Sequence, residues 1–352
     1  MLLEPRHESC ARQAEALSLE RPDAPTLRLL NEFQHRFPLT HAPFAEIGMR
    51  LGQTQQWVVH ALQRAQRQGA VSRVGAVFAP HAIGTSVLAA LRVPPKDLER
   101  VAQLVSSCAE VNHNYQREHV YNLWFVATAA DQRSLERRLR EIELQAECDR
   151  LLVMPLLDEY RIDLGFDLAG GRGACGLPTG IRNQTPRSLS PEDKALIAAL
   201  QPGLELVAHP YAVLARRAGM SETACIEFIQ AWIEQGVIRR FGIIVRHREL
   251  GFRANAMVVW DVPDALVTTF GLRVASQPDV TLAYRRRRCL PQWPYNLYCM
   301  VHGRDRAAVE ARIERLRGEC GLSHLPSHML FSRRCFKQRG AHYLTAELAS
   351  YV

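Results

Sequence analysis

The sequence predicts an α+β fold written twice in tandem, each copy a winged helix-turn-helix followed by a ferredoxin-like βαββαβ sandwich, together an internal pseudo-dimer. Two observations carry this expectation. The first is a repeat: Pro43, Gly52, Gly69, Arg73, Gly75 and Gly84 return as Pro210, Gly219, Gly236, Arg240, Gly242 and Gly251, at one constant offset and without a gap. The second is the order of segments with helical and strand periodicity inside each copy.

In the first copy a helix is expected over about Thr26 to Phe37 and a second over Pro43 to Leu51. Gly52 supplies a turn and Thr54 an N-cap. A third helix then carries Trp57, Val58, Ala61, Leu62 and Ala65 on its apolar face and stops at Gly69. The second copy repeats this with Gly219, Ser221, the apolar set Ile226, Phe228, Ile229, Trp232 and Ile233, and Gly236. The segments V-S-R-V-G-A-V-F and V-I-R-R-F-G-I-I-V read as β wings. A strand, a helix, two strands, a helix and a last strand follow, the βαββαβ order. The expected divisions are 22–80 and 191–247 for the helix-turn-helix units, 81–166 and 248–345 for the sandwiches, and 167–190, dense in Gly, Pro and Ser, for a linker.

A chain of 352 residues has room for two such units with real cores. No stretch approaches the ~18 apolar residues of a membrane span, and the N-terminus has no signal-peptide pattern, so a soluble cytoplasmic protein is expected. Nine cysteines without a C-x-x-C pair read as reduced thiols, not as a disulfide framework or a zinc site. The net charge is +8, and all of the 44 basic residues except Lys96, Lys194 and Lys337 are arginine. A GC-rich gene explains that bias, and so does anion binding, since the guanidinium fork grips carboxylate or phosphate through two hydrogen bonds.

DNA is not the expected partner. The second reading helix carries Glu222, Glu227 and Glu234 and no basic residue, so phosphates would repel it. The first keeps Arg64 and Arg67 only near its C-terminal end.

The chemistry-bearing stretch is V-N-H-N-Y-Q-R-E-H-V-Y-N-L-W-F-V, from Val111. Along a strand, alternate side chains share a face, so His113, Tyr115 and Arg117 project together, and His119 and Tyr121 join them if the chain stays extended. The second copy, V-T-L-A-Y-R-R-R-R-C-L-P-Q-W-P-Y-N-L-Y-C-M-V, offers Tyr284, Arg286 and Arg288 on one face and Arg285 and Arg287 on the other. Leu282 stands where the first copy has His113, the next histidine is His302, and a five-residue insertion surrounds L-P-Q-W-P. One copy is thus expected to supply protons and the other mainly charge.

The helix-turn-helix followed by the sandwich resembles the AsnC/Lrp regulators. H-N-Y-Q-R-E-H-V-Y-N-L-W-F in one half and W-P-Y-N-L-Y-C-M-V-H-G in the other resemble more closely the two subunit types of siroheme decarboxylase, fused into one chain as in the heme d1 branch. The resemblance implies removal of carbon dioxide from the two acetates on the pyrrole-type rings of siroheme, giving didecarboxysiroheme. It implies no cofactor beyond the iron of the substrate, and no protein metal site. Siroheme is then the partner, with a homodimer or a complex with a second decarboxylase pair as assembly. His113 and His119 are the expected acids, with one of them an alternative iron ligand. Tyr115, Arg117, Asn122, Trp124, Tyr284, Arg285, Arg286, Arg287, Tyr295 and His302 are the expected substrate-binding set. The alternative expectation is a transcriptional regulator or tetrapyrrole sensor of AsnC/Lrp type.

Overall fold

Local signals fix the first layer. Helix α1 (Ala24–Glu32) starts where Asp23 accepts the Thr26 amide at 3.0 Å. Helix α2 (Pro43–Leu51) ends on Gly52 at φ 66°, and α3 (Gln55–Arg67) starts where Thr54 accepts the Trp57 amide at 3.1 Å. In the second copy α6 (Pro191–Leu200) opens with a Ser190–Asp193 capping box. Helix α7 (Pro210–Ala218) then ends on Gly219 at φ 69°, and Ser221 caps α8 (Glu222–Glu234). A non-glycine residue at either turn would be forced into the left-handed region. This computed structural model describes residues 22–80, 82–162, 165, 168, 189–246, 248–341 and 343, so most of the expected linker lies outside the described residues.

Two expectations are corrected here. The first helix stops at Glu32, five residues early, and Arg36 takes a positive φ of 52° in the connection that follows. The expected wings are not wings: β1 (Val71–Phe78) has no partner in its own half and pairs antiparallel with β6 (Ile238–Val245), Gly75 opposite Gly242. Glycine is required at that crossing, because a Cβ on Gly242 would lie 2.4 Å from the Gln34 carbonyl oxygen. The ribbon therefore joins the two helix-turn-helix units into one body with a common core, in which Leu29, Phe44, Ile47 and Leu62 of one copy meet Ile197, Tyr211, Ile229 and Trp232 of the other.

Each second unit follows the expected order. The first contains β2 (Thr85–Leu91), α4 (Leu98–Ser107), β3 (Val111–Arg117), β4 (Leu123–Ala129), α5 (Gln132–Ala146) and β5 (Leu152–Ile162). The second contains β7 (Ala254–Trp260), α9 (Val267–Ala275), β8 (Val280–Arg286), β9 (Leu297–Gly303), α10 (Arg306–Glu319) and β10 (Ser327–Gln338). Strand β5 then pairs with β8, and β10 runs from β7 across to β3, so the two four-stranded sheets close into an eight-stranded barrel. Closure removes every sheet edge. The outer faces pack on helices through Val87, Phe125 and Leu139 in one half and Trp260, Val280 and Ile313 in the other. The inner faces meet around Leu88, Trp124, Met154, Met257, Tyr284, Tyr298 and Leu330. Among the described residues no helix is long and apolar enough to cross a membrane.

Candidate active site

Strand β3 sorts its side chains as period two dictates, with a bulge between Val111 and His113. Asn112 bonds Thr128, and Asn114 donates to the Ala102 carbonyl of α4, so the amides face the helices. His113, Tyr115 and Arg117 take the other face, and the His113 and Tyr115 rings stack at 6.2 Å. Burial, then the charge of Arg73, holds the His113 imidazole down at about 4, so it is neutral at pH 7. The Tyr115 phenol is raised by burial and by its hydrogen bond to the Cys335 thiol opposite it on β10. Arg117 donates to the Leu330 carbonyl at 2.9 Å and lies 5.7 Å from the Tyr115 ring. Burial brings it to about 10.

The expected extension of that face stops at Arg117. The chain turns there, and His119 and Tyr121 belong to the β3–β4 connection. Four residues of strand, about 13 Å at ~3.3 Å per residue, separate His113 from Arg117, and His119 lies beyond. His119 Nδ1 accepts the Tyr121 amide at 3.1 Å, which leaves the ring proton on Nε2. Its ring stacks on Tyr121 and meets Trp293 at 5.3 Å and His328 at 5.1 Å, both edge-on. Burial, then His328, lowers its pKa to about 4. Trp293 also touches Trp124 at 5.1 Å and Tyr295 at 4.9 Å, so the insertion in the second copy becomes the wall against which the first-copy turn packs.

Asn122 clasps Val93: Oδ1 accepts the Val93 amide at 3.0 Å and Nδ2 donates to the Val93 carbonyl at 2.9 Å. Its twin Asn296 clasps Val262 in the same way. The amide therefore shapes the turn, with one N–H of Nδ2 left over among the described residues; in the twin, the second N–H goes to Asp264. Trp124 donates to the Tyr121 carbonyl and belongs to the barrel interior.

The second-copy arginines divide by face as expected, except that Arg288 lies past the end of the strand. Arg286 follows Leu282 and Tyr284 inward; it lies 4.6 Å over the Tyr284 ring and donates to the Met154 carbonyl at 2.9 Å. Arg285 turns out and pairs with Asp158 at 3.4 Å and Asp264 at 3.1 Å. Arg287 is exposed, and Arg288, past the strand end, pairs with Asp261 and Asp264. Alternation along the strand explains this: neighbours cannot share a face, and acidic residues outside hold the outward forks. Tyr284 stacks on Tyr298 at 5.7 Å. His302 Nδ1 lies 3.0 Å from the Thr281 hydroxyl.

Five guanidiniums, Arg73, Arg117, Arg246, Arg248 and Arg286, form no ion pair among the described residues. Arg248 reaches Tyr115, Arg117 and Cys335 with its charge, Arg246 reaches Cys335, and Arg73 reaches His113. Buried nitrogens of all five lack a hydrogen-bond partner. Buried charge without a counter-ion is costly, and a ligand rich in carboxylates would relieve it. Arg73, Arg246, Arg248, Trp293, His328 and Cys335 are the residues missing from the expected set. Arg73 had a signal, since it is one of the six residues on which the repeat was found; His328 and Trp293 had none, because only barrel closure brings them to His119.

A helix-turn-helix followed by a sandwich, here duplicated, is the AsnC-like plan. Residues 82–161 and 249–337 each match the family model described as AsnC-like ligand binding domain. Residues 27–71 and 193–239 match that of the siroheme decarboxylase NirDL-like HTH domain. The chain is 43% identical over 316 residues to the siroheme decarboxylase NirDL subunit of Paracoccus denitrificans, covering 90% of this chain and 96% of that one. It is 30% identical to the siroheme decarboxylase of Hydrogenobacter thermophilus, with 91% and 95% covered. This chain belongs to the siroheme decarboxylase family. Its fold matches the crystal structure of the siroheme decarboxylase NirDL with TM-score 0.67 and 26% identity, over 93% of this chain and 96% of that one. The same protein in co-complex with an iron-uroporphyrin III analogue matches with TM-score 0.66.

Proposed function

We propose that this chain removes carbon dioxide from the two acetates on the pyrrole-type rings of siroheme, giving didecarboxysiroheme for heme d1. The observation that carries this reading is the group of guanidiniums without carboxylate partners among the described residues, of which Arg117 shares the face of the His113–Tyr115 stack. Siroheme brings eight carboxylates, and forks such as Arg117 and Arg286 would fix the macrocycle by pairing with them.

The reaction is redox-neutral: a ring-bound CH2–COO⁻ and one proton become a ring-bound CH3 and CO2. An imidazole protonates the pyrrole carbon beside the acetate. The bond to the carboxylate then breaks, and its electron pair forms an exocyclic methylene with the electron-poor ring. The methylene takes a proton as the ring carbon gives one up. The methylene and ring carbon are adjacent atoms, whereas His113 lies on β3 and His119 in the turn beyond Arg117, itself about 13 Å along the strand from His113. The two imidazoles therefore cannot share one such transfer, and each serves its own acetate. Neutral imidazoles suit a site awaiting a polyanion, since bound carboxylates raise their proton affinity.

Anaerobic incubation of the purified protein with siroheme, followed by mass analysis, tests this reading. Loss of two carbon dioxides is expected. Siroheme that binds and is recovered intact would leave a tetrapyrrole-binding module and sink the enzyme reading.

A further inference from the structure

Arg73 is the cation that the fold itself explains least. It comes from β1, in the ribbon of the helix-turn-helix layer, whereas His113, Tyr115, Arg117 and Arg286 come from the barrel strands. Its Nη2 donates to the Ala76 carbonyl at 3.0 Å, and its Nε is buried without a hydrogen-bond partner. Among the described residues no carboxylate pairs with it. Burial brings it down to about 10, and the Tyr343 phenol, itself pushed up to about 12, is the one group that opposes the shift.

Two glycines clear a slot for this side chain. A Cβ on Gly340 would lie 2.5 Å from Arg73 Nη1, and a Cβ on Gly203 would lie 2.9 Å from Arg73 Cβ. Gly203 also holds a φ of +95°, which a side chain would strain. Arg239 of the same ribbon is treated differently: Glu159 holds it at 3.0 Å, and the first copy has Ser72 at that repeat position. The guanidinium is thus given room and no counter-ion among the described residues, and it lies against Gly340, two residues past Gln338, which sits opposite His113 on β10.

We propose that Arg73 clamps a carboxylate that the substrate keeps, the propionate next to the acetate presented to His113, so that the helix-turn-helix layer contributes directly to the active site. This rests on the siroheme reading above. The choice of propionate follows from charge: the acetate leaves as neutral carbon dioxide, so a guanidinium paired with it would stabilise the ground state and oppose the reaction. A guanidinium paired with the neighbouring propionate only orients the ring, and orientation is what the imidazole needs.

The test uses the full chain with Arg73→Met and Arg73→Lys. Binding is read by absorbance with iron uroporphyrin III, which carries acetates and propionates, and iron coproporphyrin III, which carries propionates and methyls. Arg73→Met is expected to weaken both ligands equally, by about 10- to 100-fold, with Arg73→Lys restoring a large part. The melting temperature of Arg73→Met should not fall, because an uncompensated cation has been removed. Unchanged affinity for both ligands, or a penalty confined to the uroporphyrin, overturns the proposal. So does a loss that Lys does not rescue and that accompanies a lower melting temperature. Siroheme turnover by the unaltered chain is read in parallel. An inactive wild type with the equal penalty would overturn the decarboxylase reading and leave the clamp standing; an active wild type with unaltered Arg73→Met affinity would overturn the clamp alone.

Discussion

His113 and His119 both sit where the folded chain resists their protonation, to about 4 against 6.5 for a free imidazole. The consequence for stability has a definite sign. Between about pH 6.5 and 4 the unfolded chain binds more protons than the folded one, so stability falls as pH falls through that window. A His113→Phe variant should therefore show a flatter melting-temperature profile from pH 7 to 4 than wild type, measured by calorimetry without ligand. A parallel slope would show that the imidazole is not held neutral. NMR titration of His113 should give a midpoint near 4 in the free protein, moving up when metal-free uroporphyrin III binds, because carboxylates then face the ring. Arg73→Met should raise the free-protein midpoint as well, since Arg73 is one of the two causes of the shift.

At the scale of elements, the β3–β4 and β8–β9 connections are held by one device, an asparagine that bonds both backbone groups of a single valine. Replacing Asn122 or Asn296 by Ala leaves those buried groups unpaired and should cost about 2 kcal/mol or more in urea unfolding. A change below ~0.5 kcal/mol would mean that water or a shifted turn replaces the clasp. These turns also show what a sequence can disclose. The helix-turn-helix caps Thr54 and Ser221, the turn glycines and the inward set His113, Tyr115 and Arg117 were legible, because each depends on local chemistry or on period-two alternation. The contact of His119 with Trp293 and His328 was not. Those residues lie far away in the chain, and only closure of the barrel through β10 brings them together. Arg285 shows the same limit: its residue type suits a carboxylate ligand, and its pairing with Asp158 and Asp264 on the outward face depends on tertiary contacts.

In the whole molecule, neither half has a finished sheet. Strands β5 and β3, the edges of the first half's sheet, find their second partners in β8 and β10 of the second half, and β1 pairs with β6. Residues 191–352 expressed alone would expose two sheet edges and a lone ribbon strand, so they should self-associate or precipitate. A stable monomer by light scattering would contradict the shared barrel. The same sharing makes the molecule asymmetric where it matters: His113 on one wall has Leu282 at its repeat position on the other, and the second copy brings His328 against His119 instead. It also binds the helix-turn-helix layer to the site through Arg73, while the carboxylates of α8 disfavour nucleic acid; specific, salt-sensitive retention of duplex DNA would count against that division. The most direct test of the central claim, that the polarised wall performs the proton transfers, is product mass after anaerobic incubation of siroheme with wild type and with His113→Gln. The wild type should release two carbon dioxides per siroheme, and the variant should bind siroheme and release at most one. Release of two by His113→Gln at the wild-type rate would contradict the account.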